Sequence, residues 1–213
     1  MSIREALKKL ADMIFPYIPR CVVCGVEKRV DAYLCPDCAA ELELRRAGAS
    51  VAGAYPAYSA YEYDGPVAKL VQRYKYGGDK WLCDFMADAI IEAVDMSEVD
   101  AVCHVPLHDK RRKSRGFDQA SELAQSIAAQ TGRPYVAALR RVRNTPTQTR
   151  LSAQKRQENM RGAFESTERV NGCVLLIDDV LTTGATAAEC AAALVAAGTA
   201  SVVVATFARA EME

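Results

Sequence analysis

The spacing of apolar positions changes along this chain, and each change marks an element. Residues 174–177 (Val-Leu-Leu-Ile) and 201–207 (Ser-Val-Val-Val-Ala-Thr-Phe) are short apolar runs without helical spacing, as expected of strands buried on both faces. Residues 100–105 read the same way and stop at Pro106, while residues 57–63 alternate aromatic and small side chains and predict a further strand. Between these runs the period lengthens. Gly65-Pro66 opens a helix with Val67, Leu70, Val71 and Tyr74 on one face, and a second helix is expected over residues 81–94. Phe117, Ala120, Leu123, Ala124, Ile127 and Ala128 give residues 117–131 an apolar stripe, and residues 185–197 form an alanine-rich helix stopped by Gly198. A short strand is expected at residues 134–139. Strands alternating with helices predict an α/β fold, with a mostly parallel sheet covered by helices on both faces.

Two regions fall outside that rhythm. Residues 140–162 are polar, basic and weakly periodic, so they read as a long loop with one helical stretch near residues 153–159. Residues 3–14 place Ile3, Leu7, Leu10 and Ile14 at helical spacing before Pro16, an amphipathic helix suited to packing on the body or on a partner. At 213 residues the chain holds one α/β domain plus a small appendage, divided here as residues 1–48 and 49–213.

Charge refines this picture locally. The 27 Lys and Arg balance the 27 Asp and Glu, so no global field points to nucleic acid or to a membrane. Between His104 and Arg161, however, thirteen basic residues face only four acidic ones, a concentration suited to a polyanion. No stretch approaches the about 20 apolar residues that cross a bilayer, and no signal-peptide pattern opens the sequence, so the expected location is cytoplasmic.

The eight cysteines fall into two groups. Cys83, Cys103, Cys173 and Cys190 lie singly within apolar patterns and read as small buried hydrophobes. Cys21, Cys24, Cys35 and Cys38 form two C-x-x-C pairs, the second Cys-Pro-Asp-Cys, with Gly25 following the first. Four thiolates fill a tetrahedral Zn2+ shell and leave no open position, which predicts a structural zinc-ribbon module. A redox C-x-x-C pair is the alternative, but no thioredoxin-like pattern surrounds either pair. Near the knuckles Arg20, Lys28 and Arg29 are balanced by Glu27, Asp31 and Asp37, which favours docking or structure over direct DNA reading.

The richest chemistry lies at residues 174–186, Val-Leu-Leu-Ile-Asp-Asp-Val-Leu-Thr-Thr-Gly-Ala-Thr. A buried strand leads to two adjacent carboxylates and then to a hydroxyl- and glycine-rich turn that opens a helix. Ligands of open α/β sheets bind beyond the carboxyl ends of the strands, where such a turn presents N–H groups and hydroxyls to an anion. Asp178 and Asp179 would repel a bare phosphate, yet they suit sugar hydroxyls and a Mg2+ ion screening a pyrophosphate. Successive strand residues point to opposite faces, so the pair is expected to divide its work unless the chain has left extended geometry at Asp179. The implied ligand is a phosphorylated sugar.

Residues 177–186 resemble the ribose-phosphate motif of type I phosphoribosyltransferases, which use phosphoribosyl pyrophosphate (PRPP). Further segments resemble the ComF competence-protein family, also called GntX-like or double zinc ribbon proteins. These are the two knuckles, Tyr74-Lys75-Tyr76-Gly77-Gly78-Asp79, Val105-Pro106-Leu107-His108 through Arg115-Gly116-Phe117-Asp118-Gln119, and Arg143, Thr145, Gln148, Leu151, Arg156, Asn159, Gly162 and Phe164. Asp118 departs from the pattern, since the family more often has asparagine there. A carboxylate at that place either weakens a polyanion site or faces solvent.

The resemblance implies a phosphoribosyltransferase-like domain with a zinc-ribbon module, a cytoplasmic setting and a role in DNA uptake during natural competence. It places Asp178 and Asp179 on the ribose as the catalytic acids, and Leu181, Thr182, Thr183, Gly184, Ala185 and Thr186 around the 5-phosphate. The loop carrying Leu107, His108, Lys110, Arg111 and Arg112 would cradle the pyrophosphate. Residues 140–162 would form a hood whose Arg143, Arg150 and Arg156 stabilise the departing pyrophosphate, with Mg2+ bridging ribose and pyrophosphate. Two functional readings stay open: a transferase passing phosphoribose to a nitrogen acceptor, and a non-catalytic PRPP sensor or factor that binds single-stranded DNA or a DNA-processing protein.

Overall fold

The computed structural model describes residues 20–26, 33–77, 79, 81–107, 117–143 and 160–210, and the helix expected at residues 3–14 lies outside them. The chain divides into two compact units, residues 1–44 and 45–213. The second begins before residue 49 because a strand that the sequence pattern did not announce, β1 (Arg46–Ala52), belongs to its sheet. Its sequence, Arg-Ala-Gly-Ala-Ser-Val-Ala, has too few large apolar residues to show a strand period.

In the first unit, helix α1 (Pro36–Glu43) starts with proline in its first turn and buries Cys38 and Leu42. Gly25 takes φ +71°, which lets its N–H turn back to the Cys21 carbonyl at 2.8 Å.

The second unit is the α/β body that the periodicity predicted. β1 and β2 (Tyr55–Glu62) form an antiparallel pair, helices α2 (Gly65–Tyr76) and α3 (Leu82–Ala93) follow, and then come β3 (Ala101–His104) and α4 (Gln119–Thr131). After β4 (Leu139–Arg141) and β5 (Phe164–Ser166), the chain finishes with β6 (Cys173–Leu181), α5 (Ala185–Ala196) and β7 (Ser201–Arg209). The main sheet runs β1-β2-β7-β6-β3, and every pair but the first is parallel. Val174, Leu176, Val202, Val204 and Cys103 pack with Cys190, Ala191 and Leu194 of α5 in one core cluster. On α3, Phe85 meets Phe207 of β7 edge-on at 6.0 Å, so that helix also seats on the sheet. The sheet is therefore covered by helices, which is why residues 174–177 of β6 and 202–205 of β7 are apolar.

Three expectations change in detail. Residues 134–138 make one bridge, Tyr135 beside Val102, and Pro134 has no N–H to extend that ladder; Leu139 already belongs to β4, which pairs with β5 in a separate two-stranded sheet. Residues 140–162 are thus not all loop, since β4 reaches Arg141; residues 144–159 lie outside the described residues. The apolar run 174–177 is only the first half of β6, which continues through both acids to Leu181 because β7 stays beside it, Asp178 against Thr206 and Leu181 against Arg209.

Candidate functional site

Beyond the carboxyl ends of β3 and β6 lies a cavity of about 150 Å³ lined by Lys75, Val105, Pro106, Leu107, Gln119, Ala120, Arg141, Asp178, Asp179 and Thr186. Both acids reach it although they are neighbours on an extended strand. β3 ends at His104, opposite Ile177, and the Val105 N–H makes a last bond to the Ile177 carbonyl at 2.9 Å. From Asp178 onward β6 has no β3 residue beside it, and the cavity wraps this open edge. The predicted division of the acids between two faces is replaced by convergence on one site.

The two carboxylates are held differently. Asp179 is 8% exposed, and its Oδ1 forms an ion pair with Lys75 Nζ at 2.8 Å. Lys75 comes from the last turn of α2, which is anchored by Tyr74: its hydroxyl donates to the Gln119 carbonyl at 3.1 Å, and its ring meets Phe117 edge-on. Asp178 is half-buried and its Oδ1 accepts the Asp179 N–H at 2.8 Å. Burial, with the Asp179 charge adding to it, pushes the Asp178 carboxyl up to about 7. Behind β3, buried His104 sets Nδ1 3.0 Å from the Tyr135 hydroxyl. Burial lowers its pKa, against an opposing pull from Asp118, and the ring lies outside the cavity lining.

The turn at residues 182–184 is built to bring backbone close. Gly184 has φ +71° and would place a Cβ 2.9 Å from the Ala52 Cα, so glycine is what fits against β1. Thr183 Oγ1 accepts the Ala185 N–H at 3.3 Å, committing that hydroxyl to the start of α5. Gly184, the residue that caps α5, contributes no side-chain bond, and first-turn N–H groups of a helix lack intrahelical partners, which leaves the end suited to an anion.

Of the residues marked in the sequence, the structure brings Asp178, Asp179, Thr186 and Leu107 to the cavity wall. Thr182 is exposed and Thr183 half-buried beside it, whereas Leu181 and Ala185 bury their side chains and could meet a ligand through backbone alone. The Leu107 N–H is already given to Asp118 Oδ2 at 3.0 Å. Arg143 is exposed and donates to the Arg161 carbonyl at 2.7 Å. His108, Lys110, Arg111, Arg112, Arg150 and Arg156 lie outside the described residues. Lys75, Gln119 and Arg141 line the cavity without having been marked as site residues. Lys75 and Gln119 sit inside segments carrying the family resemblance, which was the available signal; Arg141 sat in a run of arginines with nothing to single it out.

In the first unit, the Sγ atoms of Cys21, Cys24, Cys35 and Cys38 lie within 4.8 Å of one another, with Cys24 and Cys35 3.9 Å apart. Tetrahedral zinc with Zn–S of about 2.3 Å requires sulfurs about 3.8 Å apart, so these four thiols can hold a zinc ion. Burial opposes a thiolate at Cys21, but N–H groups around it, from Cys24, Cys35 and Val23, outweigh that and hold it down to about 6. Burial pushes Cys38 up, as do its three sulfur neighbours, a crowding that a shared cation relieves. The closed set leaves no position for a substrate.

No protein-family model matches the chain. It is 31% identical to the DNA utilization protein YhgH of Salmonella typhi over 196 residues, covering 85% of this chain and 86% of that protein. It is 32% identical to competence protein F of Haemophilus influenzae over 139 residues, 60% of this chain and 61% of that one. Among solved structures it is similar to the glutamine PRPP amidotransferase of B. subtilis complexed with ADP and GMP, with 23% identity and a TM-score of 0.40 over 63% of this chain, which spans 30% of that enzyme's length.

Proposed function

Because this chain belongs to the family of the DNA utilization protein YhgH and competence protein F, we propose that it binds PRPP and serves DNA uptake or use. The observation carrying the PRPP reading is the convergence of Asp178, Asp179 and Thr186 on one cavity beside the residue 105–107 turn, with Lys75 and Arg141 supplying positive charge. Two acids without a cation would reject a phosphosugar; two acids beside two cations and a helix start offer partners to both its hydroxyls and its phosphates. A magnesium ion suits the same oxygen donors, and when bound it would neutralise pyrophosphate charge.

In this reading Asp178 and Asp179 orient the ribose, the turn at residues 182–186 holds the 5-phosphate, and the turn at residues 105–107 faces the pyrophosphate. If turnover occurs, the bond from ribose C1 to the pyrophosphate oxygen breaks and one from C1 to an acceptor nitrogen forms, with pyrophosphate leaving. The same site serves regulation without turnover, as a PRPP sensor in a DNA-processing factor, and the relatives' names favour that DNA context. The cysteine module suits a structural zinc ion, and thiolate sites of this kind fit a reducing compartment such as the cytoplasm. Among the described residues no helix is long and apolar enough to cross a membrane.

Calorimetry tests the site. PRPP with Mg2+ should give saturable heat with the full-length protein, reduced at least tenfold in affinity in Asp178→Asn and Asp179→Asn. Equal affinity in all three proteins, or no heat in any, removes the reading.

A further inference from the structure

The ion pair between Lys75 and Asp179 raises a question that the PRPP reading leaves open. Asp179 is a carboxylate meant for ribose hydroxyls or a divalent ion, yet it is already occupied at 2.8 Å by an amine. Both side chains are largely withdrawn from water, with 18% of Lys75 and 12% of Asp179 exposed. An ion pair so shielded is not an idle surface contact, because each charge would be costly to leave alone. Tyr74 pins the end of α2 through Gln119 and Phe117, so Lys75 is delivered by a fixed backbone on a flexible four-carbon stem. It therefore reaches the acids or an anion in the same cavity without any movement of the helix.

We infer that Lys75 is an exchangeable internal cation: it neutralises Asp179 in the free protein and, when a phosphosugar and its divalent ion enter, yields the carboxylate to them and moves onto an anionic oxygen of the ligand. The inference rests on the PRPP reading for the identity of that ligand. One amine then does two jobs with opposite signs. In the free protein it competes with a divalent ion for Asp179 and keeps the site from filling with metal alone. In the complex it adds to anion affinity. Binding at the two subsites is thereby coupled, because each ligand that displaces Lys75 from one role favours the other.

The opposite signs separate this from a merely structural lysine, whose loss would damage both functions. Mn2+ is titrated by electron paramagnetic resonance into full-length wild type and Lys75→Gln without ligand, and PRPP is titrated by calorimetry into both with Mg2+ present. Mn2+ should bind Lys75→Gln on the order of five- to tenfold more tightly than wild type, while PRPP should bind it on the order of tenfold more weakly. Unchanged or weakened Mn2+ binding overturns the inference, as does PRPP affinity that survives the substitution. Failure of the PRPP reading shows differently, as no PRPP heat in wild type; it removes the anion half, whereas the Mn2+ titration decides the internal-cation half by itself. Should Lys75→Gln not fold, Asp179→Asn tests the pair from its other side. That variant releases Lys75, so metal-free inorganic pyrophosphate should bind it more tightly than wild type, and equal or weaker binding overturns the inference.

Discussion

Asp118 and Leu107 are joined by a hydrogen bond of 3.0 Å, from the Leu107 N–H to Asp118 Oδ2, while Oδ1 of the same carboxylate accepts the Ser121 N–H at 3.2 Å. One side chain thus caps α4 and ties down the turn after β3. This gives the acid a structural role where the resembled family more often has asparagine: both of its oxygens are spent on backbone N–H groups. Asparagine has one acceptor oxygen in place of two, so Asp118→Asn must surrender one of these bonds. The expected cost is about 1 kcal/mol in urea unfolding. If the Leu107 bond is the one lost, that N–H becomes available to an anion, and affinity for inorganic pyrophosphate should rise. Unchanged stability would show that the two bonds contribute nothing.

The four thiols of the first unit predict one zinc per chain by elemental analysis of the purified protein, and well under one in Cys35→Ser, whose sulfur is fully buried. A segment of this size has little core, and its buried cluster consists of Cys21, Cys35 and Cys38 with Val23 and Leu34 against them. Chelation should therefore melt α1 first, seen as loss of amide-exchange protection at residues 36–43. Retained protection in metal-free protein would assign the fold of this unit to something other than zinc.

The parts of the molecule legible in the sequence share a physical reason. β3, the first half of β6 and β7 announce themselves because a strand buried on both faces must be apolar, and α2, α3 and α4 because each buries one stripe. β1 is silent because it is an edge strand of small residues, and the second half of β6 is hidden because its polar residues serve the cavity. The acids, the turn and the knuckles were legible as chemistry clustered in a few positions. Lys75 and Arg141 were not, because their roles depend on where α2 and β4 end in space. The convergence of adjacent acids likewise follows from β3 stopping one residue short of Asp178, which is a fact about a neighbour in the sheet.

Gly184 supplies a test of the turn. Its φ of +71° costs an L side chain about 1 kcal/mol, and the added Cβ would press on the Ala52 backbone at 2.9 Å. Gly184→Ala should therefore lose about 2 kcal/mol or more of stability, since neither β1 nor α5 can shift without disturbing the sheet. Gly132, also at positive φ but with open space around its Cβ position, is the control: Gly132→Ala should cost only about 1 kcal/mol. A Gly184 variant as stable as the Gly132 variant would show that β1 does not brace the turn. PRPP affinity should fall only in the Gly184 variant, because its turn alone borders the proposed site.

Asp178 predicts opposite pH dependences for stability and for binding. Its carboxyl is raised from the usual range to about 7, by burial first and by the Asp179 charge second. The folded protein therefore holds this proton more tightly than the unfolded chain does. The stabilisation is fully present below the unfolded value near 4 and is lost as pH rises through about 7. The melting temperature should thus be lower at pH 8 than at pH 6, and Asp178→Asn, which cannot ionise, should flatten that difference and melt higher than wild type at pH 8. Binding runs the other way, because Mg2+ and ribose hydroxyls are held by the ionised carboxylate. PRPP affinity should climb between pH 6 and pH 8 while stability declines, the same proton leaving in both cases. Parallel trends, or a pH dependence that persists in Asp178→Asn, would place the titrating group elsewhere.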